Sequence, residues 1–331
     1  MREARTIYLS APDEKSLTGK VKDFGFGFED GIVGLNNDHI DKELLVKECE
    51  VLSSKMGNDF TLLYKNNEDE SKSISFRVRK SFTSKGFLYV LREIQKVVPT
   101  LNSKFLNLPD YYKQIMSSPF LLKGGLVVIC GSTGNGKSTT ATASLAQRLV
   151  DFGGLAITIE DPPEYQMTGK IGKGYCIQMP VCEENGGSFA TAIKASLRMY
   201  PSSQNSTIMM IGEIRDGETA AQLLRDSING HLIFTTVHAN DVITGISRII
   251  SLASMEIGAK EACELMSQSL RVIAHQKISL GIPQIRMLVN DGSNTAVSSR
   301  IRGNEVYNLN TEIMRQNNLL KIGRLPINEK K

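Results

Sequence analysis

The stretch GSTGNGKST at residues 131–139 decides the fold, because it follows the pattern G-x-x-x-x-G-K-[ST] of a phosphate-binding loop, or P-loop. The apolar run LVVIC at residues 126–130 precedes it and is typical of a buried parallel strand, and residues 139–150 have a helical composition. A fortuitous glycine-rich turn is the alternative, and the flanking strand and helix weigh against it. The order strand, loop, helix predicts a nucleotide site.

The residue types of this loop match the needs of a bound triphosphate. Glycines let backbone N–H groups converge on phosphate oxygens at a helix N-terminus, where peptide dipoles favour an anion. Lys137 supplies a cation for the β- and γ-phosphates, and the Ser138 hydroxyl is a ligand for Mg²⁺. The residues expected to bind nucleotide are Gly131, Ser132, Thr133, Gly134, Asn135, Gly136, Lys137, Ser138 and Thr139.

Composition is that of a soluble globular protein of up to two domains: 331 residues, 41% hydrophobic and 22% charged. The net charge of +4 is too small to indicate a nucleic acid partner by itself. The five cysteines include no C-x-x-C pair, so we expect neither a disulfide framework nor a zinc site, and Cys49 and Cys130 are predicted to pack as small hydrophobic residues. No stretch of 18 apolar residues occurs, and we expect a cytoplasmic protein.

Residues 1–105 are predicted to form a small α+β domain with its linker. Alternation at Phe24, Phe26 and Phe28 indicates a half-buried strand, and Leu44, Leu45, Cys49 and Leu52 give a helical face. Further strands are expected at residues 60–64, 74–78 and 87–92, with a solvated hairpin loop at 66–72. Prolines after residue 97 break the pattern, so the boundary is placed near residue 105.

Residues 106–331 are predicted to form an α/β domain with a mainly parallel sheet. Apolar strands are expected at residues 126–130, 155–160, 207–211 and 231–236, and helical segments alternate with them. A core-facing helix is expected at residues 260–273, from the spacing of Ala262, Leu265, Met266, Leu270 and Ile273.

Charged residues follow three of these strands, at the edge of a parallel sheet where ligands bind. Glu160 and Glu164 follow the second strand, Glu213 follows the third and His238 follows the fourth. Phosphoryl transfer to water needs a Mg²⁺-bound triphosphate, a carboxylate that activates water, and cations for the developing charge. For Asp216 a helix cap is the alternative to a catalytic role, and for His231 the alternative is a packed, hydrogen-bonded side chain.

The segments TIEDPPEY (residues 158–165), MIGEIRDGET (210–219) and NGHLIFTTVHAN (229–240) resemble the Asp box, Walker B box and His box of the type II/type IV secretion ATPases. With the P-loop, four motifs occur in the order of that family, over roughly residues 75–310. The resemblance implies a RecA-like ATPase domain preceded by a PAS-like domain.

The resemblance also implies roles for individual residues. Glu213 and Glu164 are the candidates for activating water, and Glu160 assists at the metal together with Ser138. His238 senses the γ-phosphate. Four arginines match family positions, two near subunit contacts and two that the N-terminal domain lends to the nucleotide: Arg198, Arg215, Arg77 and Arg92.

Family members form homohexameric rings that hydrolyse ATP beneath an inner-membrane platform protein, which implies peripheral membrane association through that partner. The short chain is most similar to the pilus retraction, or twitching-motility, branch. Arg79 in place of the usual asparagine, the insertion at residues 202–206 and the lack of the A-I-R-A-G motif depart from that branch. Pilus extension and type II, type IVB or conjugative secretion remain alternatives.

Two other functions compete with that of a secretion or pilus ATPase. A nucleic-acid motor calls for basic stripes interleaved with exposed aromatics, and the sequence has none. A nucleotide-binding scaffold without turnover would not need Lys137, Glu164 and Glu213, all of which are intact.

Overall fold

The computed structural model describes residues 6–10, 22–23, 42–65, 73–83, 86–181, 187–201, 207–292 and 295–327. The chain divides into two compact units. An N-terminal unit comprises Met1–Val97 together with Pro162–Gln166, and a C-terminal unit comprises Val98–Asp161 and Met167–Lys331. The domain boundary near residue 105, with a PAS-like domain before it and an ATPase domain after it, stays a prediction.

The N-terminal unit contains a five-stranded antiparallel sheet of order β2-β1-β5-β4-β3. Its described elements are β1 (Thr6–Ser10), β2 (Lys22–Asp23), α1 (Lys42–Met56), β3 (Asp59–Tyr64), β4 (Ile74–Thr83) and β5 (Gly86–Glu93). Alternate residues of β3 are buried, as a half-buried strand requires, and Leu45 and Cys49 of α1 belong to the same core. The strands predicted at residues 60–64, 74–78 and 87–92 are confirmed.

Three predictions fall outside the described residues. The strand through Phe24, Phe26 and Phe28, the loop at residues 66–72 and the insertion at residues 202–206 all lie there.

The C-terminal unit is built on an eight-stranded sheet of order β13-β12-β6-β11-β10-β7-β9-β8. Its elements are α2 (Asp110–Met116), β6 (Gly125–Cys130), α3 (Lys137–Phe152), β7 (Leu155–Glu160), β8 (Gly169–Ile171), β9 (Gly174–Pro180), α4 (Phe189–Leu197), β10 (Thr207–Ile211), α5 (Gly217–Ile228), β11 (Leu232–Val237), α6 (Val242–Ile257), α7 (Ala259–Ser269), β12 (Leu270–Ser279), β13 (Ile282–Val289), α8 (Thr295–Arg302) and α9 (Asn310–Lys321). The six inner strands are parallel, and the edge strands β13 and β8 are antiparallel to their neighbours. The α/β class and the four predicted strands are confirmed.

The helix predicted at residues 260–273 is wrong over its last four residues. Helix α7 ends at Ser269, and Leu270 begins strand β12. Leu270 and Ile273 are fully buried in the same core as Ala262 and Met266, which is why one periodicity ran through both elements. The β-branched pair Val272 and Ile273 favours a strand beside β6.

Strand β12 carries a bulge where it begins to pair with β6. Leu270 lies opposite Leu126, but Val272, not Arg271, lies opposite Val127. Two residues of β12 therefore span the space of one residue of β6, and the register continues as His275 opposite Cys130.

The cysteines that the structure describes are free and buried. Burial raises the pKa of the Cys49, Cys130 and Cys176 thiols to about 12, so these thiols stay protonated. The prediction that Cys49 and Cys130 pack as small hydrophobic residues is confirmed. Among the described residues, no cluster of three or more His, Cys, Asp or Glu side chains is arranged to hold a metal ion, and no helix has the length and apolar character to span a bilayer.

Candidate nucleotide site

The sheet order brings the predicted site segments of the C-terminal unit to one edge. Strands β6, β11, β10 and β7 are consecutive neighbours and parallel, so their carboxyl ends lie side by side. The P-loop leaves β6, His238 follows β11, Glu213 follows β10 and Glu160 ends β7. Residues distant in sequence thus occupy the edge where parallel α/β sheets bind ligands.

Glycines of the P-loop occupy positions that other residues would not tolerate, as Gly136 and Gly131 show. Gly136, which precedes α3, has φ of 69°, a left-handed conformation that favours glycine. A Cβ atom on Gly131 would lie 2.4 Å from the Gln276 carbonyl oxygen, far inside contact distance. Lys137 is buried, and its Nζ donates to the Ser132 carbonyl at 3.0 Å. The loop and its lysine are therefore held together by the local backbone.

Strand β12, which lies beside β6 on the side opposite β11, also supports the P-loop. Gln276 Nε2 donates to the Asn135 carbonyl at 2.6 Å, and the backbone N–H of Ile278 donates to Asn135 Oδ1 at 2.8 Å. Gln276 itself is buried. Sequence reasoning missed these two residues because they lie 141 and 143 positions from Asn135 and carry no motif of their own.

A cluster of charged side chains surrounds Glu213 at the end of β10. Arg215 donates through Nε to one Glu213 oxygen and through a terminal nitrogen to Asp161 Oδ2 at 3.2 Å. His238 Nε2 lies 3.4 Å from the other Glu213 oxygen. Glu213 is largely shielded, with 18% of its side chain exposed, whereas 42% of His238 is accessible. Glu213 is thus held between a permanent cation and an imidazole.

The backbone around Glu213 is fixed to strand β11. Ile214 N–H donates to the Thr236 carbonyl at 3.0 Å, and Thr236 Oγ1 donates to the Gly212 carbonyl at 2.8 Å. The turn that carries Glu213 is therefore tied to the strand that carries His238, which keeps the two side chains in register.

Glu160 and Glu164 lie in different parts of the fold although four positions separate them in sequence. Glu160 is buried at the end of β7 and accepts a hydrogen bond from Gln178 Nε2 at 2.9 Å. Glu164 belongs to Pro162–Gln166 of the N-terminal unit, where its backbone carbonyl accepts from Gln95 N–H at 3.1 Å. Their roles at the metal and at the attacking water stay predictions.

The alternatives considered for Asp216 and His231 are observed. Asp216 caps α5, accepting from Thr219 N–H at 2.8 Å and from the Thr219 hydroxyl at 3.0 Å. The His231 Nδ1 atom lies 2.7 Å from Thr207 Oγ1. Burial lowers the pKa of His231, although Asp226 acts in the opposite direction. Both side chains stabilise the local structure.

In the N-terminal unit, Arg77 of β4 and Arg92 of β5 are directly opposite cross-strand partners. Opposed residues of an antiparallel pair point to the same face of the sheet. Arg77 is half-buried and Arg92 is exposed. Within the described part of the chain, neither guanidinium forms an ion pair.

Known proteins are similar to this chain in sequence. A family model described as "Type II/IV secretion system protein" matches residues 61–310. The Type II secretion system protein E of Pseudomonas aeruginosa is 32% identical over 212 residues, which cover 64% of this chain and 39% of that protein. The type IV pilus assembly ATPase PilB of Thermus thermophilus is 35% identical over 174 residues, which cover 52% of this chain and 18% of that protein. The matched part therefore spans less than half of either relative.

Solved structures extend the likeness to nearly the whole chain. The crystal structure of the pilus retraction motor PilT with bound ADP has a TM-score of 0.67 and 25% identity, and covers 96% of this chain and 89% of that one. The ATPase DotB of Legionella pneumophila has a TM-score of 0.66 at 20% identity, which supports the RecA-like fold. Because the family model matches most of the residues, the chain belongs to the type II/IV secretion system protein family.

Proposed function

We propose that this chain is the ATP-hydrolysing subunit of a type IV pilus or related secretion machine. The observation that carries the proposal is the common sheet edge, where the P-loop and the Glu213 cluster follow neighbouring parallel strands. A phosphate-binding loop beside a positioned carboxylate is what hydrolysis of a nucleoside triphosphate requires.

The residues present fit Mg²⁺ and ATP. Gly131 and Gly136 allow the loop backbone to pack closely against β12, and Lys137 lies at the start of α3 with the Ser138 hydroxyl next to it. Mg²⁺, when bound, neutralises phosphate charge that develops during transfer. In this proposal Lys137 binds the β- and γ-phosphates, and Ser138 and Glu160 hold the metal.

Glu213 is the side chain that we assign to the attacking water. Its carboxylate is oriented by Arg215 on one oxygen and approached by His238 at 3.4 Å on the other. A carboxylate held in this way can accept a proton from water or align it for attack. His238, more exposed than Glu213, is placed to sense the γ-phosphate. Glu164 is the second candidate for the base.

The N-terminal unit supplies the remaining cations in this proposal. Arg77 and Arg92 carry adjacent positive charge on one sheet face, which suits the charge of a triphosphate in the transition state. We also infer a homohexamer in which Arg198 and Arg215 lie near subunit contacts, at an inner-membrane platform, without stable nucleic acid binding. Sedimentation with a non-hydrolysable ATP analogue is expected to show hexamers, and only monomers would contradict the motor.

Retraction of a pilus is the task that we favour among those of the family. The support is that the retraction motor PilT matches this chain at 25% identity with a TM-score of 0.67, whereas DotB matches it at 20% identity with a TM-score of 0.66. Deletion of the gene should leave surface pili in place and abolish twitching; loss of the pili would instead indicate extension.

Phosphate release with Mg²⁺ and ATP tests the enzymatic part of the proposal. The wild-type chain is expected to turn over, and Lys137→Ala is expected to abolish turnover because the loop provides no second cation at that place. Lys113→Ala, which removes a half-buried lysine paired with the exposed Asp110, is the matched control and should retain the rate. Wild-type turnover by Lys137→Ala would refute the P-loop assignment, and an inactive wild type that still binds ATP would favour a scaffold.

A further inference from the structure

A cavity of about 410 Å³ lies in the C-terminal unit between the β12–β13 hairpin and the first residues of α6 and α9. We call it the hairpin cavity. Its volume falls in the range of sites that bind small organic ligands, roughly 300–1,000 Å³. None of its lining residues belongs to the P-loop or to the Glu213 cluster.

Three basic side chains line the hairpin cavity from one face of the hairpin. His275 of β12 is directly opposite Arg286 of β13, and Lys277 is the next residue of β12 on the same face. Among the residues that the structure describes, none of the three has an ion-pair partner. Lys277 and Arg286, the two permanent cations, are diagonal neighbours across the hairpin, and like charges placed in this way repel each other, so this face favours an anion.

One carboxylate also lines the cavity, and it already has a structural role. Asp241 caps α6 by accepting from Thr244 N–H at 2.7 Å. Burial raises the pKa of Asp241, but hydrogen bonds from Thr244, the nearby His275 and a backbone hydrogen bond from Ile243 together lower the pKa below its usual value. Asp241 is therefore ionised, and it offsets one of the two permanent cations, Lys277 and Arg286. Burial, Arg286 and Lys277 lower the pKa of His275, while Asp241 raises it.

The other walls suit an uncharged organic group. Asn240 and Gln284 provide amides that both donate and accept hydrogen bonds, and Ile243 and Ile313 provide apolar surface. Cationic and amide groups beside apolar ones match a ligand with a phosphate at one end and a flat heterocycle at the other. Inorganic phosphate alone would leave most of this surface without contacts.

The hairpin cavity and the P-loop lie on opposite faces of β12. Gln276 and Ile278 contact the P-loop residue Asn135, whereas His275 and Lys277 line the cavity. Successive residues of a strand point to opposite faces, so the two sets of contacts do not compete. We propose that the hairpin cavity binds a second, phosphate-bearing ligand of nucleotide size, with Lys277 and Arg286 on its phosphate.

Binding of AMP to the full chain tests the proposal. AMP lacks the β- and γ-phosphates that Lys137 binds, and a Lys137→Ala background further weakens the P-loop. By calorimetry, AMP is expected to bind this background, and Lys277→Ala with Arg286→Ala should weaken binding at least tenfold. The control removes the same two charges elsewhere, through the exposed Lys123→Ala and Arg324→Ala, and should bind AMP as before.

A photoreactive azido-AMP provides a measurement that does not depend on how the variants fold. Mass spectrometry of the labelled chain is expected to find the label in residues 240–243, 284–286 or 310–313, which line the cavity. Label confined to residues 131–139 would overturn the proposal. So would the absence of saturable AMP binding, or equal weakening by both double variants. These readouts do not require ATP hydrolysis, so they stand apart from the test of the proposed function.

Discussion

Arginines in the two units lie in opposite electrostatic environments. Arg215 of the C-terminal unit contacts two carboxylates, Glu213 and Asp161. Arg77 of the N-terminal unit instead faces Arg92 across a strand pair. The first arrangement is neutralised from within and fixes a carboxylate in place. The second leaves two adjacent positive charges, which cost stability unless an anion comes from elsewhere. The C-terminal cluster is therefore complete as folded, while the arginine pair is suited to a ligand.

The largest effect that this comparison predicts is on turnover when the arginine pair is removed. Arg77→Ala and Arg92→Ala should each slow phosphate release by about 10³, the scale for losing an arginine that stabilises transferring phosphate. Each should leave the free energy of unfolding unchanged or slightly higher, because a like-charge pair is relieved. Steady-state kinetics and urea unfolding measure the two effects.

Arg79→Ala is the matched control for the arginine pair. Arg79 lies two residues from Arg77 on the same strand, but it pairs with Asp59 at 2.6 Å and is well exposed. Its loss should cost less than about 1 kcal/mol and leave turnover unchanged. Folded Arg77→Ala and Arg92→Ala variants with normal turnover would show that the pair does not serve the active site.

The next effect concerns the neutralised cluster. Glu213→Gln should retain nucleotide and Mg²⁺ binding while slowing hydrolysis by about 10², the usual scale for a positioned acid or base. Binding of a fluorescent ATP analogue and phosphate release separate these quantities. Glu218→Gln, which removes an exposed carboxylate paired with Lys194, is the control. A collapse of nucleotide affinity in Glu213→Gln would assign Glu213 to the metal and make Glu164 the preferred base.

The smallest predicted effect is a loss of stability at Asp216, a carboxylate that belongs neither to the Glu213 cluster nor to the arginine pair. Asp216→Ala should lower the free energy of unfolding by about 0.5–2 kcal/mol, because the α5 N-terminus loses its cap. Asp216→Asn preserves an acceptor and should restore most of that stability. Urea unfolding measures both variants. Unchanged stability of Asp216→Ala combined with lost turnover would move Asp216 into the catalytic cluster.

Local patterns predicted those parts of the molecule whose contacts are local. The P-loop places Lys137 five positions from the carbonyl of Ser132 that it contacts, and the buried strands are continuous apolar runs. The helix at residues 260–273 failed because α7 and β12 bury residues in one core, so that a helical spacing continued into a strand.

Contacts that depend on the order of strands in the sheet could not be predicted from the sequence. Gln276 contacts Asn135 because β12 lies beside β6, the strand that the P-loop follows. No pattern in the sequence predicts that these two strands are neighbours. The opposition of Arg77 and Arg92 depends in the same way on the β4–β5 register. Glu164 shows the converse, since it adjoins Glu160 in one motif and yet groups with the other unit. The sequence motif identified Glu160 and Glu164 as candidate site residues, but it did not predict that they belong to different units.

The bulge of β12 assigns its residues to the two faces of the strand. If β12 kept the register set by Leu270 opposite Leu126, every later residue would move by one position, and His275 would lie where Gln276 now lies. An imidazole and an ammonium group would then face the P-loop, and the amide that holds Asn135 would point into the hairpin cavity. One additional residue in the chain, without any change of side chain, therefore determines which chemistry each face presents.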